Sequence, residues 1–275
     1  MQKTFLLTQN HICRTFIQPK FWAAMLMILS ANYIRVQPIS QIIFRYNTPV
    51  SFGIFALIFS EPFFLIVLSI GLLFIFSELP FKNSQQVFLV TRSGKRIWCV
   101  SQILYIVLIS LFVLLAVLLE TVIICGGKIS FDNSSWGKII MSVYNTGLGG
   151  EYSIGFCYYA SYESIVAETP LSALIYTLTT ELLLSVTMGL AVFAINLATH
   201  STLGIIIGGI PIALNLFMSY FDSLPFIRLS PFSWVHLRAI LWLPFKQYPA
   251  LILGTASADA VILALIKCRK RADIL

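Results

Sequence analysis

The chain is 275 residues long; 58% of them are hydrophobic, 11% are charged, and the formal net charge is +7. Soluble domains carry about 25% charged residues, so this composition excludes a water-exposed globular surface and a disordered chain. Five Cys in 275 residues likewise exclude a disulfide-rich secreted scaffold. What remains is an all-α integral membrane protein whose basic residues report orientation first, and nucleic-acid binding is a poor reading of the charge.

Residues 1–20 form an amphipathic N-terminal helix in this reading. Phe5, Leu6, Ile12, Cys13, Phe16 and Ile17 cluster on one side, opposite Asn10, His11, Arg14, Thr15 and Gln18. That pattern predicts a helix lying along the membrane surface, with Pro19 turning the chain into the first span. Spanning a bilayer takes roughly 20 mainly apolar residues. Six segments qualify, near 21–36, 50–76, 98–124, 171–197, 203–220 and 250–266. The second is interrupted by Glu61-Pro62, so its first part reads as an extension or re-entrant piece on the far side.

With both termini inside, 11 basic residues fall on the inner side, including Lys3, Lys20, Lys82, Arg92, Lys95, Arg96 and the run from Lys267 to Arg271. The other 7, among them Arg35, Arg45, Lys128 and Lys246, fall outside. This bias predicts a multi-pass protein of the cell membrane with both termini cytoplasmic. The whole of 1–275 is then one transmembrane domain in contact with membrane lipid, without a cleavable signal peptide.

The inner connection, residues 78–97, places Val87, Phe88 and Leu89 between polar, basic flanks. A short apolar-tipped helix there is a natural docking element, and the plainer alternative is a positive-inside loop resting in the headgroups. The outer connection, 125–169, contains the Gly-rich run LGGEYSIG and a predicted capping helix over 137–144. Cys125 and Cys157 share that loop, either bonded or as free thiols. Asn133 begins an Asn-x-Ser triplet, a pattern also common by chance. Trp234, Trp242 and Tyr248 read as interfacial aromatics.

No catalytic, cofactor or metal motif stands out. His11, His200 and His236 are far apart, and H-E-x-x-H, G-x-S-x-G, Walker A and G-x-G-x-x-G are all missing. The reading is a non-enzyme without a cofactor of its own. Acids within or near the spans are the remaining polar signal: Glu61, Glu120, Glu181 and Asp259. Thr177, Glu181 and Ser185 share one helical face, as do Thr255 and Asp259. Ionisable groups in a span normally face the bundle interior or water, so these five residues are candidates for a translocation path. Carboxyls that lock the bundle by hydrogen bonding are an equal alternative.

Phe76 to Phe81 (FSELPF), then Arg92-Ser93-Gly94-Lys95-Arg96-x-Trp98 and Ser101-Gln102, resemble the inner loop and flanks of bacterial ABC-2-type permeases, especially a Gram-positive group. Ser135-Trp136-Gly137-Lys138, Thr169-Pro170-Leu171-x-Ala173 and Ser230-Pro231-x-Ser233-Trp234 resemble the outer-loop landmarks of the same group. The resemblance implies a six-helix permease domain with an N-terminal elbow helix, paired with a second, identical or related permease. A separate cytoplasmic ATP-binding subunit, carrying ATP and Mg, would drive export of a peptide, antimicrobial or other amphipathic substrate. It also implies that Lys82, Gln85, Val87, Phe88, Leu89, Arg92, Lys95 and Arg96 seat on that ATPase. Two alternatives stand beside it: a proton-coupled secondary transporter, and a non-transporting immunity or assembly protein.

Overall fold

The computed structural model describes residues 2–80, 93–146, 148–156, 160–199, 202–221, 230–243 and 245–270. These residues are almost entirely helical. Helix α1 (Gln2–Ile17) is followed by α2 (Pro19–Tyr46), a two-residue strand β1 (Val50–Ser51), α3 (Ile54–Phe59) and α4 (Pro62–Phe76). Then come α5 (Lys95–Ile124), β2 (Ile129–Ser130), α6 (Gly137–Asn145), α7 (Leu148–Glu151) and α8 (Tyr162–Ala167). The second half holds α9 (Pro170–Thr199), α10 (Leu203–Phe221), a 3₁₀ turn (Pro231–Val235), α11 (Ala239–Trp242) and α12 (Tyr248–Lys270).

Among the described residues, three helices are long and apolar enough to cross a membrane: α5, α9 and the 248–266 part of α12. Pro62–Phe76 and Leu203–Leu216 are apolar but shorter. Helix α2 has the length, at 28 residues, but Asn32, Arg35, Gln37, Gln41 and Arg45 dilute its apolar run. It also continues ten residues past the expected end at Val36. Pro38 sits inside it, since a proline removes one helical hydrogen bond without stopping a helix supported on both sides. The helix ends at Asn47, which adopts the left-handed conformation at φ 48°, a state that Asn tolerates better than most residues.

Lipid explains the surface better than water does. Trp22, Leu26, Phe74, Leu119, Ile123, Ile175, Ile206, Leu251 and Leu263 all stand exposed, spread over every long helix. In water, apolar surface on that scale marks an association site or an aggregation hazard. Inside, Phe21, Ile28, Phe59, Phe64, Phe76, Tyr105 and Phe193 are fully buried. Helix α9 is the hub of that core and packs against α3, α4, α5, α10 and α12.

The two ends of the bundle differ. At one end, Gln18 donates to Glu78 (2.7 Å), Lys20 bonds Ser77, α1 packs on the start of α5, and Cys99 hydrogen-bonds Cys268. At the other end, β1 and β2 pair in parallel, Lys128 donates to Asn47 (2.7 Å), and Arg45 donates to Tyr152 (2.7 Å). The first residues of α1 and the last turn of α12 therefore share one end with the chain ends flanking residues 81–92. Helix α6 forms where a capping helix is expected, and it buries Ile139, Ile140 and Val143. Cys125 is a buried free thiol, while Cys157 lies outside the described residues. Trp234 is buried, edge-on to Tyr248, which departs from the expected interfacial exposure. Its backbone carbonyl accepts the Tyr176 hydroxyl (2.6 Å), so the 3₁₀ turn carrying it is fastened to α9.

Helix α1 turns a polar stripe inward. Thr8, His11 and Thr15 are buried against α5, while Phe5, Leu6 and Ile17 face outward. Gln102 reaches His11 Nε2 (2.8 Å), Thr15 shares a hydrogen bond with Tyr105 (2.9 Å), and Thr8 donates to the Ser101 carbonyl (3.3 Å). A helix between a bundle and lipid keeps its polar bonds on the protein side, because lipid tails accept none. Burial, reinforced by Arg14, lowers the His11 pKa to about 4. The unfolded ring titrates near 6.5, so between those values the detached helix binds more protons than the docked one. Docking of α1 is therefore strongest above about pH 6.5 and weakens as pH falls toward 4. Hydrogen–deuterium exchange of the α1 amides, corrected for intrinsic rates, is expected to rise across that window and to stay flat in His11→Gln. Flat exchange in the parent chain would disprove the linkage.

Candidate functional site

The second apolar segment breaks where the sequence places Glu61-Pro62. Ser60 closes α3 and Glu61, in extended conformation, precedes α4 with Pro62 at its first position, where a missing N–H costs nothing. The break frees backbone groups among buried residues, and each needs a partner. The Ser60 carbonyl accepts from His236 Nδ1, and the Ser60 hydroxyl accepts from the Leu237 N–H (3.0 Å) while donating to the Ala56 carbonyl (2.8 Å). Burial holds the His236 pKa down near 4, against a smaller opposing pull from its Ser60 bond. The ring is therefore neutral with its proton on Nδ1, the tautomer the bond requires. Nothing in the spacing of the three histidines signals this role, because the contact joins residues 176 positions apart.

Glu61 itself is buried and pairs with Arg35 of α2, Nε to Oε2 at 3.0 Å. The Arg35 guanidinium lies 4.6 Å from the centre of the Phe63 ring, a cation–π distance. Gly155 of the outer connection closes over the pair. A Cβ there would stand 2.9 Å from Glu61 Oε1 and 3.2 Å from Arg35 Nη1. Trp136 fixes the same connection by donating to the Glu168 carbonyl (2.8 Å), with its ring against Gly53 at the head of α3. The outer connection is thus a cover over the broken helix. Glu120, another of the span acids, accepts from Asn32 of α2 (2.8 Å), whose amide also reaches the Thr121 hydroxyl (3.1 Å).

The five residues expected along a path divide into two sets. Thr177, Glu181 and Ser185 are buried on α9. Thr177 returns its hydroxyl to the Ala173 carbonyl (2.9 Å), Ser185 donates to Glu181 Oε1 (3.1 Å), and Glu181 Oε2 has no hydrogen-bond partner among the described residues. Thr255 and Asp259 are exposed on α12, away from that set. Of the two acids expected toward the bundle interior or water, Glu181 is inside the bundle and Asp259 is exposed. The physical reason is that α12 lies at the periphery and spends its small residues, Ala260 and Ala264, on contact with the bundle.

A cleft of about 510 Å³ opens between the first turns of α9 and α12. Leu171, Ile175, Tyr176, Thr180, Lys246 and Gln247 are among its walls, and it runs down α9 as far as Thr180, one residue before Glu181. Glu168 sits at its mouth, ion-paired with Lys246 and accepting the Ser172 hydroxyl (2.5 Å). Of the expected docking residues, Lys82, Gln85, Val87, Phe88, Leu89 and Arg92 lie outside the described residues. Lys95 and Arg96 occupy the first turn of α5 rather than a loop. Two cations there oppose the helix dipole.

No family model, curated protein or solved structure matches this chain.

Removing one member of a buried ion pair costs more than removing both, since the survivor keeps its desolvation cost. Arg35 is partly exposed, which moderates the effect to about 1–3 kcal/mol. Arg35→Leu is expected to lower the unfolding midpoint in detergent more than Arg35→Leu combined with Glu61→Gln. A double variant whose loss equals the sum of the two single losses would show that the pair carries no coupling.

Proposed function

We propose that this chain is the six-span membrane subunit of an ATP-driven exporter for an amphipathic substrate, energised by a separate cytoplasmic ATP-binding subunit and working with a second permease subunit. The observation that carries this reading is the composition of one end of the bundle. Helix α1 lies bonded through Thr8, His11 and Thr15 onto the start of α5. The connection 81–92 leaves α4 and enters α5 at that same end, ahead of the Lys95-Arg96 turn. This is where a partner that pulls on 81–92 would move α4 and α5 directly and α9 through them, because α9 packs on both. The motifs from Phe76 to Gln102 and from Ser230 to Trp234 add the resemblance to ABC-2-type permeases. Basic residues around 81–96 and the run from Lys267 to Arg271 favour a cytoplasmic assignment for that end.

In this reading the outer cleft beside Tyr176, Thr180 and Lys246 is the exit side. The 125–169 cover, anchored through Trp136 and over Glu61, holds the broken helix shut until α4 moves. Such a transition is a two-state change biased by ATP binding elsewhere. The tagged chain, expressed together with its genomic neighbours, is expected to co-purify with an ATP-binding protein. Val87→Glu, Phe88→Glu and Leu89→Glu combined are expected to lose that association by at least about tenfold while leaving the helical content unchanged. Full association and coupled ATP hydrolysis in this variant would refute the docking assignment.

A second reading, a proton-coupled secondary transporter, is favoured by one observation, the buried Glu181 with Oε2 unbonded. It predicts substrate flux in vesicles driven by a pH gradient without ATP and abolished by Glu181→Gln. Flux that needs ATP, and survives that substitution, excludes it.

A further inference from the structure

Two of the chain's five cysteines come from distant parts of the sequence and meet. Cys99 lies in the second turn of α5, and Cys268 lies near the end of α12. Their thiols hydrogen-bond each other, and both residues are buried. Packing explains the contact. Ala260, Ala264 and Cys268 recur every four residues along the buried side of α12, and small side chains let membrane helices approach closely. Helix α12 packs on α5 as well as on α9, so its last turns deliver Cys268 to the start of α5. The other described cysteines are placed differently. Cys13 is exposed on α1, and Cys125 is buried at the far end of α5.

We propose that Cys99 and Cys268 form an oxidation site, at which a peroxide closes a disulfide that fastens α12 to α5. Two sulfurs already in hydrogen-bond contact need little movement to bond, whereas cysteines on misaligned backbones cannot be bridged without distortion. Oxidation starts at Cys268, the less buried of the two (5% exposed against 0%). Its sulfur attacks one oxygen of hydrogen peroxide. The O–O bond breaks, a sulfenic acid forms, and the thiol proton leaves with the second oxygen as water. The Cys99 sulfur then displaces hydroxide from the sulfenic acid. An S–S bond replaces the S–O bond, and the hydroxide takes the Cys99 proton and leaves as the second water. The two thiols together lose two electrons and two protons, and one peroxide becomes two waters. A resolving thiol this close captures the sulfenic acid before higher oxidation. Burial admits a small neutral peroxide and excludes bulky disulfide reagents, which selects the class of oxidant. The first half of α12 is held by the Thr187 hydroxyl, which donates to the Leu253 carbonyl (3.2 Å). The disulfide would fix its other end to α5, beside the point where 81–92 enters. The proposal does not rest on the exporter reading.

The test uses the full chain in detergent with hydrogen peroxide as the oxidant. The chain is then denatured, its remaining thiols are alkylated, and its peptides are identified by mass spectrometry without reductant. A peptide pair joined through Cys99 and Cys268 is expected, released by dithiothreitol, while Cys125 is recovered alkylated. Amide exchange over residues 262–270 is expected to slow about tenfold on oxidation and to recover on reduction. In Cys99→Ser the joined pair is expected to vanish, exchange is expected not to respond to peroxide, and Cys268 is left as a sulfenic acid that dimedone captures. Both thiols staying reduced at a peroxide concentration that oxidises Cys13 would overturn the proposal. So would separate oxidation of the two to sulfinic acids without a joined pair. A joined pair that leaves exchange over 262–270 unchanged would overturn the fastening of α12.

Discussion

A helix broken among buried residues is the constraint on which the rest of this structure depends. At Ser60, Glu61 and Pro62 the ladder of backbone hydrogen bonds stops, where neither lipid nor water is at hand to replace it. Three separate parts of the chain converge on it: His236 takes the freed Ser60 carbonyl and Leu237 the Ser60 hydroxyl, Arg35 pairs with the Glu61 side chain, and Gly155 packs over that pair. Their sequence distance from the break is large, so the tertiary arrangement must form before the break is tolerated. Much of the outer end follows from this single requirement. Helix α3 is buried at every position, β1 takes β2 as its partner, and Trp136 closes over Gly53.

The same logic governs the end of the bundle where α1 lies, with different chemistry. There the polar bonds belong to side chains on α1, not to a broken backbone, and they point toward α5 because lipid offers them nothing. A surface helix with an apolar face toward lipid and hydroxyls and an imidazole toward protein is held by geometry as well as by hydrophobicity. Its position is therefore linked to the start of α5, where Lys95 and Arg96 sit. Gly204, at the turn into α10, fastens another part of the bundle to the end of α4. Its N–H donates to Asn196 Oδ1 (2.8 Å), whose amide donates to the Leu79 carbonyl (2.7 Å). A Cβ at that glycine would lie 2.6 Å from the Val192 carbonyl oxygen.

The helical class, the apolar character and most helix limits were legible in the sequence because each rests on local signals. Pro19, Pro62 and Pro170 mark helix starts, and the run from Trp98 to Ile124 needs no context. The extension of α2 through Pro38 was not legible, since only packing on both sides decides whether a proline ends a helix. The partners of Glu61 and Glu120 were equally hidden. Nothing local assigns Arg35 to one acid and Asn32 to the other, because both contacts depend on how α2 is rotated against α4 and α5. The aromatic signal at Trp234 misled for a related reason. Interfacial and core tryptophans have the same composition, and the Tyr176 bond that fastens its segment joins residues 58 apart.

Rotation also explains why the two acid-bearing faces separated. Glu181 and Asp259 each have hydroxyl neighbours four residues away, so sequence spacing treats them alike. Helix α9 packs against α3, α4, α5, α10 and α12 and is the more enclosed of the two, and Glu181 lies on its buried side. Helix α12 has the bundle on one side only, and the side it presents is decided by fit. Ala260 and Ala264 allow it to approach α9 closely, which fixes the rotation and sends Asp259 outward. A carboxyl so placed costs the isolated chain free energy that better packing within the chain cannot recover, because recovery would require giving up the small-residue contact. Among the described residues, α12 is therefore the long apolar helix with the least complete surroundings.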